Sequence, residues 1–216
     1  MNVLAPSILS ADFKNLGSQL KEISESGAEY VHIDVMDGLF VPSISFGMPV
    51  IKSIRQATDR VFDVHLMIEE PVRYISEFKE AGADIITVHY EACKDVEDTL
   101  KKIKDAGLKA GLSIKPKTDT SVVKEFLPLC DMILLMSVEP GFGGQKFIEN
   151  SVERAAELKK IIDASPYDID LEIDGGINLQ NVKTVLDAGV NVIVAGSAVF
   201  KSPGENTKKF MEILNA

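Results

Sequence analysis

The stretch ESGAEYVHID, residues 25–34, reads as the end of a helix running directly into a strand, and the chain repeats this join. EAGADIITVH (80–89), DAGLKAGLSI (105–114) and DAGVNVIVAG (187–196) share its order: an acidic residue, a small residue, a glycine, then a run of Val, Ile or Leu. Glycine is favoured just past a helix C-terminus because it enters the left-handed region without a Cβ clash. Gly27, Gly82, Gly107 and Gly189 therefore read as helix stops. Working outward from them places strands near residues 3–8, 30–35, 61–67, 84–89, 109–114, 132–137, 169–173 and 191–195, with amphipathic helical segments between. In ADFKNLGSQLKEISESG (11–27), Phe13, Leu16, Leu20 and Ile23 recur at helical spacing, and ENSVERAAELKKIIDA (149–164) behaves likewise. Strands alternating with helices imply parallel pairing through right-handed crossovers. The count favours an α/β fold closed as a (β/α)8 TIM barrel over an open, doubly wound sheet. Nothing interrupts the alternation, so residues 1–216 are expected to form a single barrel domain.

Composition narrows the function. The chain has 216 residues, 45% of them hydrophobic and 26% charged, and a net charge of −10. An acidic chain lacks the basic footprint that nucleic acid requires. No apolar run approaches the ~20 residues of a membrane span, and the start, MNVLAPSILSADF, lacks the pattern of a signal peptide. A cytoplasmic protein is expected, without nucleic acid or membrane as partner. An apolar helix face could support a homo-oligomer. Cys93 and Cys130 are too few for a disulfide framework and read as buried thiols. An anionic ligand would have to be held by local backbone donors against the overall field.

Side chains alternate along a strand, so in YVHIDVMDG (30–38) Val31, Ile33 and Val35 share one face while His32, Asp34 and Met36 share the other. In VFDVHLM (61–67), Asp63, His65 and Met67 share a face in the same way. LEIDGG (171–176) ends the seventh strand on Asp174, and MILLMSVEPG (132–141) puts Met136 on the sixth. A barrel's ligand site lies at its strand C-termini. His32, Asp34, His65 and Asp174 then form a set of two imidazoles and two carboxylates suited to one divalent ion, Zn, Fe, Mn or Co. The alternative is that each is a buried polar residue satisfied by hydrogen bonds, which is costly for several carboxylates at once. His89, in VHYEA (88–92), has no matching carboxylate in register and is left either lining the site or packing. Met36, Met67 and Met136 either fill the upper core or line a reacting centre. Ser7 is either a turn hydroxyl or a substrate contact.

Three glycine-rich segments follow strands six, seven and eight: EPGFGGQ (139–145), DGGIN (174–178) and AGSAVF (195–200). Glycines admit a ligand close to the backbone, and helices starting near Asn178 or Ser197 would direct free N–H groups at an anion. Phosphate sites of such barrels lie at the loops after strands seven and eight.

LAPSILSADF, VHIDVMDGLFVPSISFG, DVHLMIEEP, SVEPGFGGQKF, EIDGGI and VAGSAVF together resemble the signatures of the ribulose-phosphate 3-epimerase family, in order and over essentially the whole chain. The resemblance implies a (β/α)8 barrel of the ribulose-phosphate-binding type, an isomerase of pentose phosphate metabolism that interconverts D-ribulose 5-phosphate and D-xylulose 5-phosphate. It implies a divalent metal held by His32, Asp34, His65 and Asp174, with Asp34 and Asp174 as the acid–base pair. Ser7, Met36, His65, Met67, Met136, Asp174 and Gly175 would meet the substrate, and Gly143, Gly144, Gly176, Gly196 and Ser197 would hold it through its phosphate end. Lys117, in IKPKT (114–118), replaces a glycine frequent in the family, away from the proposed ligands.

The chemistry agrees with this. Epimerisation beside a ketone removes a C3 proton on one face and returns one on the other, so two bases are needed, and a Lewis acid would stabilise the enediolate charge. Three alternatives stand beside it: an epimerase for D-allulose 6-phosphate, a Schiff-base aldolase using Lys115, and a phosphosugar-binding barrel without catalysis.

Overall fold

The computed structural model describes residues 2–216. Eight strands, β1 (Val3–Pro6), β2 (Tyr30–Met36), β3 (Val61–Met67), β4 (Ile85–His89), β5 (Lys109–Ile114), β6 (Met132–Met136), β7 (Asp170–Asp174) and β8 (Val192–Ala195), form one sheet in the order β1-β8-β7-β6-β5-β4-β3-β2. Every ladder is parallel, and a bridge between Ser7 and His32 brings β1 back against β2, so the barrel is nearly closed. Around it run α1 (Leu16–Glu25), α2 (Met48–Ile54), α3 (Ile75–Ala81), α4 (Val96–Asp105), α5 (Ser151–Asp163), α6 (Val182–Asp187), α7 (Ser197–Phe200) and α8 (Pro203–Leu214).

The four glycine stops lie where the sequence places them, each with positive φ, between 79° and 108°. At Gly82 the N–H bonds back to Lys79 and Phe78, which closes α3 before β4 begins. Outward-facing strand residues, Val31, Ile33 and Val35 on β2 and Phe62, Val64 and Leu66 on β3, pack with Leu16, Leu20 and Ile23 of α1 and Leu158 and Ile162 of α5 in one continuous core. Each such fully buried side chain contributes ~1.5–3 kcal/mol through removal from water. Inside the barrel Ala5, Ile85, Met132, Val192 and Val194 make a separate apolar cluster that begins at the strand N-termini and reaches the floor of the mouth at Val194. The inward polar side chains lie nearer the C-terminal ends.

Two expectations are corrected. Between β5 and β6 the link holds only 3-10 turns, Thr120–Glu125 and Leu127–Leu129, in place of an α-helix. Pro128 has no amide hydrogen, and Val122 and Val123 lose χ1 freedom in a helix, so the segment lacks a helical run. Phe13 precedes α1 in a 3-10 turn and is 52% exposed, its ring edge against Phe46 at 5.5 Å, so it is no part of the core stripe.

Candidate active site at the barrel mouth

The β2–β3 register sets His32 beside Asp63, Asp34 beside His65 and Met36 beside Met67, and the β6–β7 register sets Met136 beside Asp174. Inward parity and matched register thus gather the polar residues of separate strands at one level. One donor atom from each of His32, Asp34, His65 and Asp174 lies within 4.8 Å of every other. His32 Nε2 is 3.3 Å and His65 Nδ1 3.2 Å from the same oxygen, Asp34 Oδ1. Ser7 Oγ donates to the other oxygen, Asp34 Oδ2, at 2.5 Å.

Behind these groups lies a further buried tier. His32 Nδ1 is 2.5 Å from Asp63 Oδ2 and 3.5 Å from Glu172 Oε1. His65 Nε2 is 2.8 Å from His89 Nε2, and His89 Nδ1 is 3.3 Å from Glu91 Oε2. The chain has three histidines, and all are 0% exposed within this assembly. His89 therefore packs behind His65 rather than lining the site. Its carboxylate partner, Glu91, lies outside the strand register, in the 3-10 turn Tyr90–Ala92 that follows β4. Asp63 shares its face with His65, and Glu172 shares its face with Asp174. Strand alternation held the signal for Asp63 and Glu172, whereas Glu91 reaches His89 only because the chain turns after β4.

The electrostatics divide the two central carboxylates. Burial alone would raise Asp34, but the His32 and His65 rings outweigh it and hold the carboxyl well below the usual range. Burial and the charge of Asp34 push Asp174 up to about 6. Burial opposes charge on His32, yet Asp63 and Asp34 prevail and raise it well above an ordinary histidine. Burial and then the Asp63 charge raise Glu172, which favours its neutral acid form. Desolvation brings His89 down to about 4, the neutral imidazole.

These residues fit a divalent cation. His32 Nε2 is fully buried and without a hydrogen-bond partner, and it faces a carboxylate oxygen that His65 also faces. The surroundings favour positive charge at that point, whether a proton on Nε2 or a metal ion, so the two compete. Two imidazoles with two carboxylates are a borderline donor set, matched to first-row divalent ions.

A cavity of about 310 Å³ opens from this cluster over β6, β7, β8 and β1. Ser7, Asp34, Met36, Met67, Met136, Gly143, Gly144, Asp174, Gly175, Gly176, Gly196 and Ser197 all line it. His32 and His65 are not among the lining residues. Ser10, Gln145, Asn178, Gln180 and Lys201 also line it; Gln145 and Asn178 end two of the glycine-rich segments, and the other three carry no pattern that points to a ligand. At Gly176, φ is +67°, and a Cβ would lie 2.4 Å from the Phe147 backbone nitrogen, so the loops after β6 and β7 meet there backbone to backbone. Ser197 and Ala198 open α7, where the first N–H groups have no intrahelical acceptor. Asn178 begins no helix, since its side chain caps a turn by accepting from Gln180 N and α6 starts at Val182. Lys115 is absent from the cavity lining; its Nζ lies 4.0 Å from the centroid of the Phe40 ring.

Fold and mouth define a class: a (β/α)8 barrel whose strand ends combine a buried His/Asp cluster with a glycine-lined cavity. The profile of the Ribulose-phosphate 3 epimerase family matches residues 3–200. The chain is 47% identical to the ribulose-phosphate 3-epimerase of Bacillus subtilis (strain 168), over 95% of this chain and 94% of that one. It is 44% identical to that of Aquifex aeolicus (strain VF5), over 99% and 97% of the two chains. Among solved structures it superposes on KGPDC from Streptococcus mutans with a TM-score of 0.70 at 14% identity, covering 100% of this chain and 98% of that one, a likeness of fold alone. The chain belongs to the ribulose-phosphate 3-epimerase family.

Proposed function

We propose that the protein interconverts D-ribulose 5-phosphate and D-xylulose 5-phosphate by moving a proton at C3 between two carboxyl groups. The observation that carries this reading is that Asp34 and Asp174, on strands separated by β1 and β8 around the ring, open into one cavity with their proton affinities pushed apart. Asp34 stays an anion and can take a proton from carbon. Asp174, which burial and the Asp34 charge raise to about 6 in the metal-free site, can hold a proton and release it, as an acid–base pair requires. Catalysis in the reverse direction exchanges the two roles.

His32, Asp34, His65 and Asp174 would hold a divalent ion, which supplies Lewis-acid stabilisation of negative charge developing on the substrate oxygens. Ser7 Oγ, bonded to Asp34, keeps that carboxylate in one orientation and stands at the cavity wall within reach of a hydroxyl. Met36, Met67 and Met136 surround the carboxylates with polarizable apolar surface and keep water from the reacting carbon. Backbone N–H groups of Gly143, Gly144, Gly175, Gly176, Gly196 and Ser197, which all line the cavity, would grip the phosphate, so that binding energy from a group that does not react orients the one that does.

The test is turnover. Metal-supplemented protein is given D-ribulose 5-phosphate and, separately, D-allulose 6-phosphate, with product followed by NMR. Xylulose 5-phosphate as the preferred product supports the reading. Preferred turnover of the six-carbon sugar, or none of either, rejects it.

A further inference from the structure

The hydrogen directions behind His65 can be worked out from one fixed donor. Glu91 Oε1 accepts from the Lys115 backbone N–H at 2.9 Å and from Thr118 Oγ1, while Oε2 faces His89 Nδ1 at 3.3 Å. A carboxylate only accepts, so the proton of His89 sits on Nδ1 and its Nε2 carries a bare lone pair. That lone pair lies 2.8 Å from His65 Nε2, which must then be the N–H. If His65 carries a single proton, it is the one on Nε2. The Nδ1 lone pair then faces the Asp34 carboxylate oxygen at 3.2 Å, two acceptors that only a cation between them satisfies, a second proton or a metal ion.

We propose that Glu91 is a positioning residue that works through His89 to keep His65 in the tautomer able to bind a cation. The inference rests on the reading of His65 as a metal ligand. It also gives the loop after β5, through Lys115 and Thr118, a part in holding the Glu91 carboxylate in place. Glu91, His89 and His65 act in series, so a change of donor and acceptor at one end is carried to the other.

Glu91→Gln tests the series at nearly constant shape. The Lys115 N–H cannot reverse, so the new amide oxygen remains bonded to it and the NH2 faces His89 Nδ1. His89 must then carry its proton on Nε2 and donate to His65 Nε2, which moves the His65 proton to Nδ1. There it donates to Asp34 and no longer ligates. With Zn²⁺ as the probe in a chelator competition, Glu91→Gln should bind ~10–100-fold more weakly than wild type, the usual effect of losing a residue that orients a ligand. Imidazole ¹⁵N NMR of the Zn²⁺-loaded wild type should show the His65 proton on Nε2 and the His89 proton on Nδ1, and of Glu91→Gln the reverse. With His89→Asn as background, Glu91→Gln should have no further effect on Zn²⁺ affinity.

Unchanged affinity in Glu91→Gln, or an effect that persists without His89, overturns the proposal. So does a spectrum of the Zn²⁺-loaded wild type with the His65 proton on Nδ1, and that result is decisive even if the variant does not fold. Failure of the wild type to bind Zn²⁺ rejects the metal reading itself, an outcome distinct from normal binding that Glu91 does not influence.

Discussion

Gly176 offers a sharp test of how the phosphate end of the cavity is built. A Cβ at this position would stand 2.4 Å from Phe147 N and 2.8 Å from Phe147 Cα, both backbone atoms, so no rotamer change relieves the clash. Restoring ordinary contact requires the segments 139–147 and 174–178 to separate by about 1 Å. The positive φ of +67° adds the cost of a left-handed L-residue, ~1–2 kcal/mol. Both loops line the cavity and carry the proposed phosphate donors. A misplacement of ~1 Å in substrate-positioning groups costs on the order of 100-fold in rate, or ~2.7 kcal/mol. Gly176→Ala should therefore lower kcat/KM for the phosphorylated ketose by about two orders of magnitude. Stability should fall by ~2 kcal/mol, a Tm lower by roughly 4–8 °C. Steady-state kinetics and thermal unfolding read both quantities. A non-phosphorylated pentulose should show a much smaller loss than the phosphorylated substrate. A Gly176→Ala variant with kcat/KM within about threefold of wild type would refute the claim that this backbone contact sets the phosphate grip.

Further outcomes follow from the same geometry. Asp34→Asn should keep the circular dichroism spectrum of the wild type and lose ~10²–10⁴-fold in turnover; near-normal activity removes Asp34 from the mechanism. An acid whose pKa is raised on folding stabilises the fold below its unfolded pKa and loses that contribution as pH rises through the folded value. Asp174, raised to about 6, should therefore cost stability above that pH in chelator, and Asp174→Asn should melt higher than wild type at pH 7.5 but not at pH 4. A variant that melts lower at both values contradicts the assignment. Burial pushes the Cys93 and Cys130 thiols up to about 12, so both should react slowly with a disulfide reagent at pH 8 and rapidly in denaturant. Fast labelling of the native protein would show the thiols to be more open than this packing allows.

The barrel was legible because its punctuation is local: four glycines after helix ends mark the starts of β2, β4, β5 and β8, and apolar runs in the same alternation with helical segments supply the other four strands. The link without an α-helix was harder to see, since Pro128 lies inside a stretch whose apolar content otherwise imitates an amphipathic segment. At the site, strand parity alone grouped His32 with Asp34 and Asp63 with His65. Register is a long-range property, and that Asp34 stands beside His65 rather than one pair away depends on the packing of the whole ring. Asp63 and Glu172 lie behind the strand ends, where sequence rules lead one to expect apolar filling, while His89 ends β4 and Glu91 follows it in a 3-10 turn. Lys201 and Gln180 reach the cavity only because α7 and the turn before α6 fold over it, and no local pattern announces that.

The central claim is that two different carboxyls serve opposite faces of one carbon. The most direct measurement is a single turnover of D-ribulose 5-phosphate in D₂O with the metal-supplemented protein, with C3 labelling read in product and in recovered substrate. Two carboxyls predict xylulose 5-phosphate carrying solvent deuterium at C3 from the first turnover, while recovered substrate stays largely unlabelled because the proton is returned by the group that took it. Product that retains the original proton would mean that one group serves both faces, and would contradict the account.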